Sequence, residues 1–255
     1  NIVYLRGLAV SIKSNAVNRY LFKSCLTHII ANSEETRKMI LKNLSHVISK
    51  NKLHTIYHGI DISQITPTND EKLKEIKNKS NGIILGNAGR LTDQKGQHYL
   101  IDIAKKLKLM NLEFTLFIAG TGSLESEIKQ RIIKNQLQKE VVMLGFVNDM
   151  NLFMNSLDVF LLTSKWEGFG FVLVEAMAKK VPVICFDISS NPEIIEDKKT
   201  GFLIPFCDLN KFAEHVYSLS TNRKLLEEMG KEGQKRVINK FLLADRIHEL
   251  DKVLN

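Results

Sequence analysis

Short apolar runs alternate with stretches of helical apolar spacing through the second part of the chain. The runs predict strands at residues 82–88, 114–119, 140–144, 158–162 and 181–185. Apolar residues three and four positions apart predict helices near residues 96–109, 123–136, 149–156 and 171–179. Because strands and helices alternate, the pattern predicts an α/β fold with a parallel doubly wound sheet and right-handed crossovers.

The first part of the chain shows the same alternation with fewer elements. It has strand patterns at 2–5, 28–31 and 53–57, and helix patterns at 15–25 and 33–44. Ser33 is the expected N-cap of the second helix. Two or three strands cannot close a core alone, and the chain starts at Asn1 directly before a strand-like run, so we expect a fragment of a larger protein.

A polar stretch follows the first part. Residues 63–80 contain Pro67 and a Lys/Glu-rich run, which predicts a connection between two domains. Helix patterns at 208–220, 223–238 and 242–254 close the chain. We expect the last helix to bury an apolar stripe consisting of Leu242, Leu243, Ile247, Leu250 and Val253.

Composition narrows the class of protein. Apolar residues make up 44% of the 255 residues, which is ordinary for a globular protein. No apolar run approaches the roughly 20 residues of a membrane span, and the start lacks a signal-peptide pattern. Cys25, Cys185 and Cys207 match no metal-binding spacing, so we expect reduced thiols and a cytoplasmic location.

The net charge of +8 is concentrated at the front, since residues 1–62 contain nine Lys or Arg against three acidic residues. Two helix patterns there interleave basic and apolar residues: Arg19, Lys23, Arg37, Lys38 and Lys42 with Leu21, Phe22, Ile40 and Leu41. This pattern is compatible with peripheral contact to an anionic membrane surface, such as the inner face of a cell membrane. A solvated basic face is the alternative. No nucleic-acid-binding signature accompanies the charge, so we expect no nucleic acid partner.

Two glutamates flank a glycine-rich loop between the strand pattern at 158–162 and the next helix pattern. Such a loop lies at the carboxyl end of a strand, where open α/β sheets bind ligands. Gly168 and Gly170 allow backbone N–H groups to approach a phosphate, while Glu167 and Glu175 can accept hydrogen bonds from hydroxyls. A sugar joined to a diphosphate needs both kinds of group, N–H donors for its phosphates and carboxylate acceptors for its hydroxyls. The alternative is a solvated helix residue at Glu175 and a charge favoured by the helix dipole at Glu167.

Two further loops carry candidate phosphate ligands. Arg90 and Lys95 follow the strand pattern at 82–88, and a guanidinium and an ammonium together can neutralise a diphosphate. Gly120 and Gly122 follow the next strand pattern, where a phosphate cradle and a tight turn are both open interpretations. Their motif lacks the G-x-G-x-x-G spacing of dinucleotide sites, which argues against a dehydrogenase. No carboxylate cluster is placed to hold a metal near these phosphates.

Several of these segments occur in the order of a known family. They are Asn87–Gly96, Ile118–Gly122, Val142–Val147, Trp166–Ala178 and Pro192–Leu203. The segment with Glu167 and Glu175 resembles the E-x7-E signature of the retaining group 1 glycosyltransferases (family 4 type), which have the GT-B fold of two Rossmann-like domains. Ile29–Glu34 and Ile56–Asp61 resemble segments that end the amino-terminal domain of that family, so the resemblance covers nearly the whole chain.

The resemblance implies a domain organisation. Residues 1–62 would be the carboxyl-terminal part of the acceptor-binding domain, and residues 63–80 the interdomain connection. Residues 81–238 would be the nucleotide-sugar-binding domain, and residues 239–255 a helix that crosses back to the first domain. With the acceptor domain incomplete, we expect the chain alone to bind donor without transferring sugar.

The resemblance also implies a reaction. A sugar would move, with retention, from a nucleoside diphosphate sugar, most readily UDP-linked, to an acceptor such as a growing polysaccharide or lipid-linked glycan. No cofactor and no metal would take part. The alternatives are a nucleotide-sugar epimerase of the same fold and a nucleotide-sugar-binding module without transfer.

The family's motifs assign roles to individual residues. Glu175 would bind the ribose hydroxyls and Glu167 the hydroxyls of the sugar, while the amides of Phe169 and Gly170 would bind the phosphates. The catalytic residues implied are Arg90, Lys95 and Glu167. The implied donor site also contains Gly89, Gly120, Gly122, Phe146, Val147, Gly168 and Phe171.

Two positions depart from the family pattern. Ser189–Asn191 stands where relatives often have a glycine-rich turn. Arg6 stands where many relatives have a histidine or a related basic motif, so Arg6 is a candidate to face the active cleft. We expect His58 to be an interdomain residue.

Overall fold

The computed structural model describes residues 2–64, 80 and 82–255. Within these residues the strands form two parallel sheets, so the predicted α/β class is confirmed. The greater part of the predicted connection at 63–80, including Pro67, lies outside the described residues.

The first sheet has the strand order β1-β2-β3. The strands are β1 (Val3–Arg6), β2 (His28–Ala31) and β3 (Leu53–Thr55). The helical segments of this unit are α1 (Ala16–Tyr20), continued by a π-helical turn at Leu21–Cys25 that buries Phe22, and α2 (Glu34–Leu44). Ser33 caps α2 as predicted, since its hydroxyl oxygen accepts the N–H of Thr36 at 3.0 Å.

The four apolar residues named in the basic helix patterns lie in or against the core of this unit, and membrane contact stays a prediction. Phe22 and Ile40 are 2% and 0% exposed, and Leu21 and Leu41 pack against the same core. In α2 the pattern therefore describes a helix that buries one face on the sheet and solvates the other, whereas α1 buries no residue and leaves Val17 and Tyr20 73% and 68% exposed. Among the described residues, no helix is both long enough and apolar enough to cross a membrane.

The second sheet, within residues 83–204, has the strand order β6-β5-β4-β7-β8-β9. Its strands are β4 (Ile83–Ala88), β5 (Phe114–Ala119), β6 (Val141–Gly145), β7 (Val159–Leu162), β8 (Val183–Phe186) and β9 (Gly201–Ile204). All neighbouring strands pair in parallel. β4, β5, β7 and β8 are buried throughout and mostly apolar because helices cover both faces of the sheet.

The helices of this second unit follow the strands along the chain. They are α3 (Gln97–Leu109), α4 (Glu125–Lys134), α5 (Met150–Ser156), α6 (Phe171–Ala178), α7 (Asn191–Ile194), α8 (Leu209–Thr221), α9 (Arg223–Lys240) and α10 (Leu243–Leu254). Two separate apolar clusters lie on the two faces of the sheet. Leu85 belongs to the cluster with α3 and its neighbour Ile84 to the cluster with α6, as the alternation along a strand requires.

The sequence analysis did not predict β9 and α7. β9 is a four-residue strand that begins at Gly201, a residue usually depleted in strands, and it lies at the edge of the sheet. α7 is a single turn that begins at Asn191 and contains Pro192. α7 is shorter than the window in which a helical period can be recognised, and the glycine at the start of β9 hides the strand pattern.

The last helix lies against the end of the first unit. The N–H of Ile60 donates to the carbonyl of Phe241 at 2.8 Å, and the N–H of Leu243 donates to the carbonyl of Ile60 at 3.0 Å. The predicted buried stripe of α10 is wrong, because Leu243 and Ile247 are 40% and 50% exposed. They border a second cavity of about 270 Å³ instead of filling a core.

Candidate active site

The strand order places a cleft where the second sheet reverses direction. From β4 the chain runs outward through β5 and β6, whereas β7, β8 and β9 lie on the other side of β4. The loops after β4 and β7 therefore diverge toward opposite faces, the arrangement in which α/β proteins bind ligands. A cleft of about 620 Å³ opens there. The predicted site residues that line it are Gly89, Arg90, Lys95, Gly120, Phe146, Val147, Glu167, Phe169, Gly170, Phe171 and Glu175.

Gly120, which follows β5, allows the backbone there to contact the backbone at Gly89, which follows β4. Its φ is 132°, and a Cβ at this position would lie 1.9 Å from the carbonyl oxygen of Gly89. The N–H of Gly120 donates to the carbonyl of Gly145 at 2.6 Å, and the N–H of Gly89 donates to the carbonyl of Ala119 at 3.0 Å. The glycine at 120 is thus required by close backbone approach.

Replacing Gly120 by alanine is expected to destabilise the protein by about 3 kcal/mol or more, because backbone strain and overlap with Gly89 add together. Gly145→Ala is the matched control. Gly145 has a φ of 67° and open space around its Cβ position, so only strain of about 1 kcal/mol applies. Urea denaturation measures both, and equal losses would contradict the steric argument.

A buried side chain that the sequence analysis did not identify hydrogen-bonds to the loop after β4. Gln97, the first residue of α3, is fully buried, and its Nε2 donates to the carbonyl of Arg90 at 3.0 Å. Gly96 precedes it with a φ of 62°. The Arg90 side chain itself is exposed and lines the cleft.

Lys95 and Glu167 meet across the cleft. Lys95 Nζ lies 2.7 Å from Glu167 Oε1, and Glu167 is only 5% exposed. The fully buried hydroxyl of Ser164 donates to the same oxygen at 2.6 Å. Such a desolvated pair depends on both partners, since removal of one leaves the other charge buried without compensation. Ser164 is a second site residue that the sequence analysis did not single out.

Other groups that line the cleft are a carboxylate, a helix end and an aromatic ring, in addition to the Lys95–Glu167 pair. Glu175 is half-buried on α6, and burial raises the pKa of its carboxyl above the ordinary value of 4.5. α6 begins at Phe171 at the cleft wall, so the positive end of its dipole points to the space between the loops. At the other end, Phe146 is 75% exposed beside Val147 and offers an aromatic surface. The cleft therefore combines cationic, amide and carboxylate groups.

Two predicted residues do not line the cleft. A Cβ on Gly122 would lie 2.4 Å from the carbonyl oxygen of Leu91, and a Cβ on Gly168 would lie 1.8 Å from the carbonyl oxygen of Gly7. Both glycines permit close backbone packing, at a turn and at the contact between the two sheet units respectively. Lining residues outside the predicted set are Ala88, Ala119, Thr121, Asn148, Met150 and Val172.

The candidate Arg6 contacts its own loop. Its Nε donates to the carbonyl of Leu8 at 3.2 Å and its Nη2 to the carbonyl of Val10 at 3.1 Å. Arg6 borders the second cavity, together with His58, and is not part of the main cleft lining. His58 packs against Phe169 of the other unit with ring centroids 5.5 Å apart, and burial lowers the pKa of its imidazole.

The sequence profile of one family matches the part of the chain that builds this cleft. The family is described as "Glycosyl transferases group 1", and the match covers residues 68–236. The chain belongs to the group 1 glycosyltransferases. The resemblance stated from the motifs is thus confirmed.

Individual relatives of the chain are also named as glycosyltransferases. The chain is 30% identical over 238 residues to the capsular polysaccharide biosynthesis glycosyltransferase CapM of Staphylococcus aureus, covering 91% of this chain and 62% of CapM. It is 28% identical over 232 residues to an Escherichia coli UDP-Gal:alpha-D-GlcNAc-diphosphoundecaprenol alpha-1,3-galactosyltransferase, covering 89% of this chain and 59% of that enzyme. The chain spans about 60% of the length of these curated relatives.

Solved structures confirm the fold. HepE of Anabaena, solved in complex with UDP, superposes with a TM-score of 0.87 at 23% identity, covering 99% of this chain and 71% of HepE. The C-terminal domain of the group 1 family protein LpcC from Francisella tularensis is 26% identical with a TM-score of 0.65, covering 72% of this chain and all of that domain. The GT-B prediction agrees with these superpositions.

Proposed function

We propose that the protein transfers a sugar from a nucleoside diphosphate sugar, most readily a UDP-sugar, to a glycan or lipid-linked acceptor with retention. One observation carries this proposal: a desolvated Lys95–Glu167 pair, Arg90 and Glu175 converge on one cleft at the carboxyl ends of β4 and β7. Membership of group 1 supports it. So do the relatives, whose names include a UDP-galactose donor and a diphosphoundecaprenol-linked acceptor.

The proposed chemistry follows from the charges. As the glycosyl bond breaks, negative charge accumulates on the departing diphosphate. Arg90 and Lys95 offset that charge, and the amino-terminal end of α6 adds a positive dipole. In the structure Lys95 forms an ion pair with Glu167. Entry of a diphosphate gives Lys95 a second anionic partner and leaves Glu167 able to accept hydroxyls of the sugar.

The proposal assigns metal no role. Among the described residues, no group of three or more His, Cys, Asp or Glu is arranged to hold an ion. Two cationic side chains at the phosphate end supply the neutralisation that a metal would otherwise provide. Metal independence stays a prediction, and activity in the presence of a chelator checks it.

Nucleotide binding is expected to depend on pH through Glu175. Because burial raises the pKa of Glu175 above 4.5, the protein disfavours the carboxylate that is proposed to accept the ribose hydroxyls. UDP affinity should therefore rise as the pH increases through that raised pKa. Calorimetry across this range measures the UDP affinity. Glu175→Gln is the control, because it removes the titration of this carboxyl and leaves that of the nucleotide. Identical pH profiles for both proteins would contradict the role of Glu175.

Product analysis tests the function. The full-length protein that contains this chain is incubated with radiolabelled UDP-glucose, UDP-galactose or UDP-N-acetylglucosamine and a short-chain lipid-diphosphate-linked N-acetylglucosamine acceptor. Residues 1–255 alone are assayed beside it, and for them we expect donor binding without transfer. From the full-length protein we expect a labelled glycolipid with an α-linkage by NMR. A β-linked product would contradict retention, conversion of the free UDP-sugar to its epimer would favour the epimerase, and binding without product by the full-length protein would favour a binding module.

A further inference from the structure

The amino-terminal end of α2, in the first unit, contacts a carboxylate of the second unit. Glu193 Oε2 accepts the N–H of Glu34 at 2.7 Å, and Glu193 Oε1 accepts the N–H of Glu35 at 2.9 Å. Ser33 accepts the next N–H, that of Thr36. The first turn of α2 therefore has its three leading amides bonded, two of them by a residue about 160 positions away in the chain.

The backbone that carries Glu193 is fixed within the second unit. Glu193 lies in α7, where Arg236 Nη2 donates to the Glu193 carbonyl at 2.9 Å. Arg236 Nε also donates to the carbonyl of Ile194, and Nη1 pairs with Glu196. Arg236 thus ties the short helix α7 to α9. A negative charge at the amino-terminal end of α2 is favoured by the helix dipole as well as by the two hydrogen bonds.

Glu193 is also coupled to the cleft. The neighbouring Ser190 hydroxyl donates to the Glu167 carbonyl at 3.5 Å, and Asn191 Oδ1 lies 3.2 Å from the Cβ position of Gly170. From the other side, Thr36 Oγ1 lies 3.4 Å from the carbonyl oxygen of Gly168, while its shorter hydrogen bond goes to Asn32 Oδ1 at 2.9 Å. The donor loop at 167–170 is thus enclosed between α7 and α2, and the contacts that Glu193 makes to α2 are the shorter ones.

We propose that Glu193 is a positioning residue that fixes the first unit against the donor loop at 167–170, where Gly7 and Thr36 contact Gly168. Its part in transfer rests on the proposed function, whereas its part in joining the two units does not. The nearby Tyr57 phenol has its pKa raised to about 12, by burial first and then by the Glu193 carboxylate, which places Tyr57 as a neutral neighbour of this joint.

Two native thiols allow the joint to be measured. Cys25 lies in the first unit and is half-buried, Cys207 lies in the second and is exposed, and Cys185 is fully buried. Spin labels on Cys25 and Cys207 report the distance between the units by pulsed electron paramagnetic resonance. Amide exchange measured by NMR reports the bonds to Glu34 and Glu35. Neither readout requires a nucleotide or an acceptor.

For Glu193→Ala we expect a broadened distance distribution and amide exchange at Glu34 and Glu35 faster by about tenfold or more, since both amides lose their acceptor. Glu193→Gln, which keeps one carbonyl oxygen, should fall between this variant and the native protein, and it remains informative if the alanine variant does not fold. Asn222→Ala is the matched control, because Asn222 caps α9 within the second unit by accepting the N–H of Leu225 at 3.0 Å.

The proposal is overturned if Glu193→Ala keeps the native distance distribution, or if Asn222→Ala broadens it equally. UDP titration of the native protein separates the two proposals. Absent UDP binding with a broadened distribution in Glu193→Ala would refute the proposed function and leave the joint in place. Intact UDP binding with unchanged distances would refute the joint alone.

Discussion

Replacing Lys95 by alanine is expected to weaken UDP binding by about tenfold or more, because a charge-assisted hydrogen bond to phosphate contributes about 1.5–3 kcal/mol. The structure adds a second cost. Lys95 is the cationic partner of Glu167 at 2.7 Å, so the variant leaves a 5% exposed carboxylate with only the Ser164 hydroxyl beside it. Calorimetry with UDP measures the affinity, and thermal unfolding measures the cost of the unpaired carboxylate.

Lys129→Ala is the matched control for this experiment. Lys129 Nζ also lies 2.7 Å from a carboxylate, that of Glu125, but this pair is exposed on α4 and is not part of the cleft lining. An exposed helical pair contributes little, so the control should bind UDP like the native protein. A folded Lys95→Ala variant with the native dissociation constant would remove Lys95 from the proposed phosphate site.

The two glutamates are expected to give different binding defects. Glu175→Gln should weaken UDP and UDP-sugar by the same factor, about two- to tenfold, if the carboxylate binds the ribose that both ligands share. Glu167→Gln should weaken only the UDP-sugar. It removes a charge proposed to bind the sugar, and it also releases Lys95 from its ion pair toward the diphosphate, so UDP itself should bind at least as tightly as before.

Paired titrations with UDP and UDP-glucose measure these ratios for each variant. Folding of both variants is checked by far-ultraviolet circular dichroism. If each variant lost the same affinity for both ligands, the assignment of Glu175 to the ribose and Glu167 to the sugar would be wrong. A loss of UDP binding in Glu167→Gln alone would place the ribose hydroxyls, rather than the sugar, on Glu167.

The sequence predicted the sheet of the second unit because its strands are continuous buried apolar runs. β4 was expected at 82–88 and forms at Ile83–Ala88, and β5 forms at Phe114–Ala119 as expected. The prediction failed where an element is a single turn or a short edge strand, as in α7 and β9. It failed also for α10, whose apolar spacing suggested a buried stripe although Leu243 and Ile247 face a cavity.

Residue types and loop positions indicated most of the cleft, but not which groups touch. Lys95 and Glu167 are 72 positions apart, and their ion pair depends on β4 and β7 being adjacent in the sheet. Gly122 and Gly168 were predicted to be site residues, but a glycine is needed at each position for close backbone packing instead. Gly122 packs on Leu91 and Gly168 packs on Gly7. Ser164 and Gln97 act through one hydrogen bond each, which no local pattern reveals.

A crystal structure of the protein grown with UDP tests the central claim most directly. The account predicts UDP in the cleft between the loops after β4 and β7, with its diphosphate on Lys95 and Arg90 and its ribose hydroxyls on Glu175. In that structure Lys95 should contact a phosphate oxygen as well as, or instead of, Glu167. UDP bound outside this cleft, or its diphosphate bound away from both Lys95 and Arg90, would contradict the account.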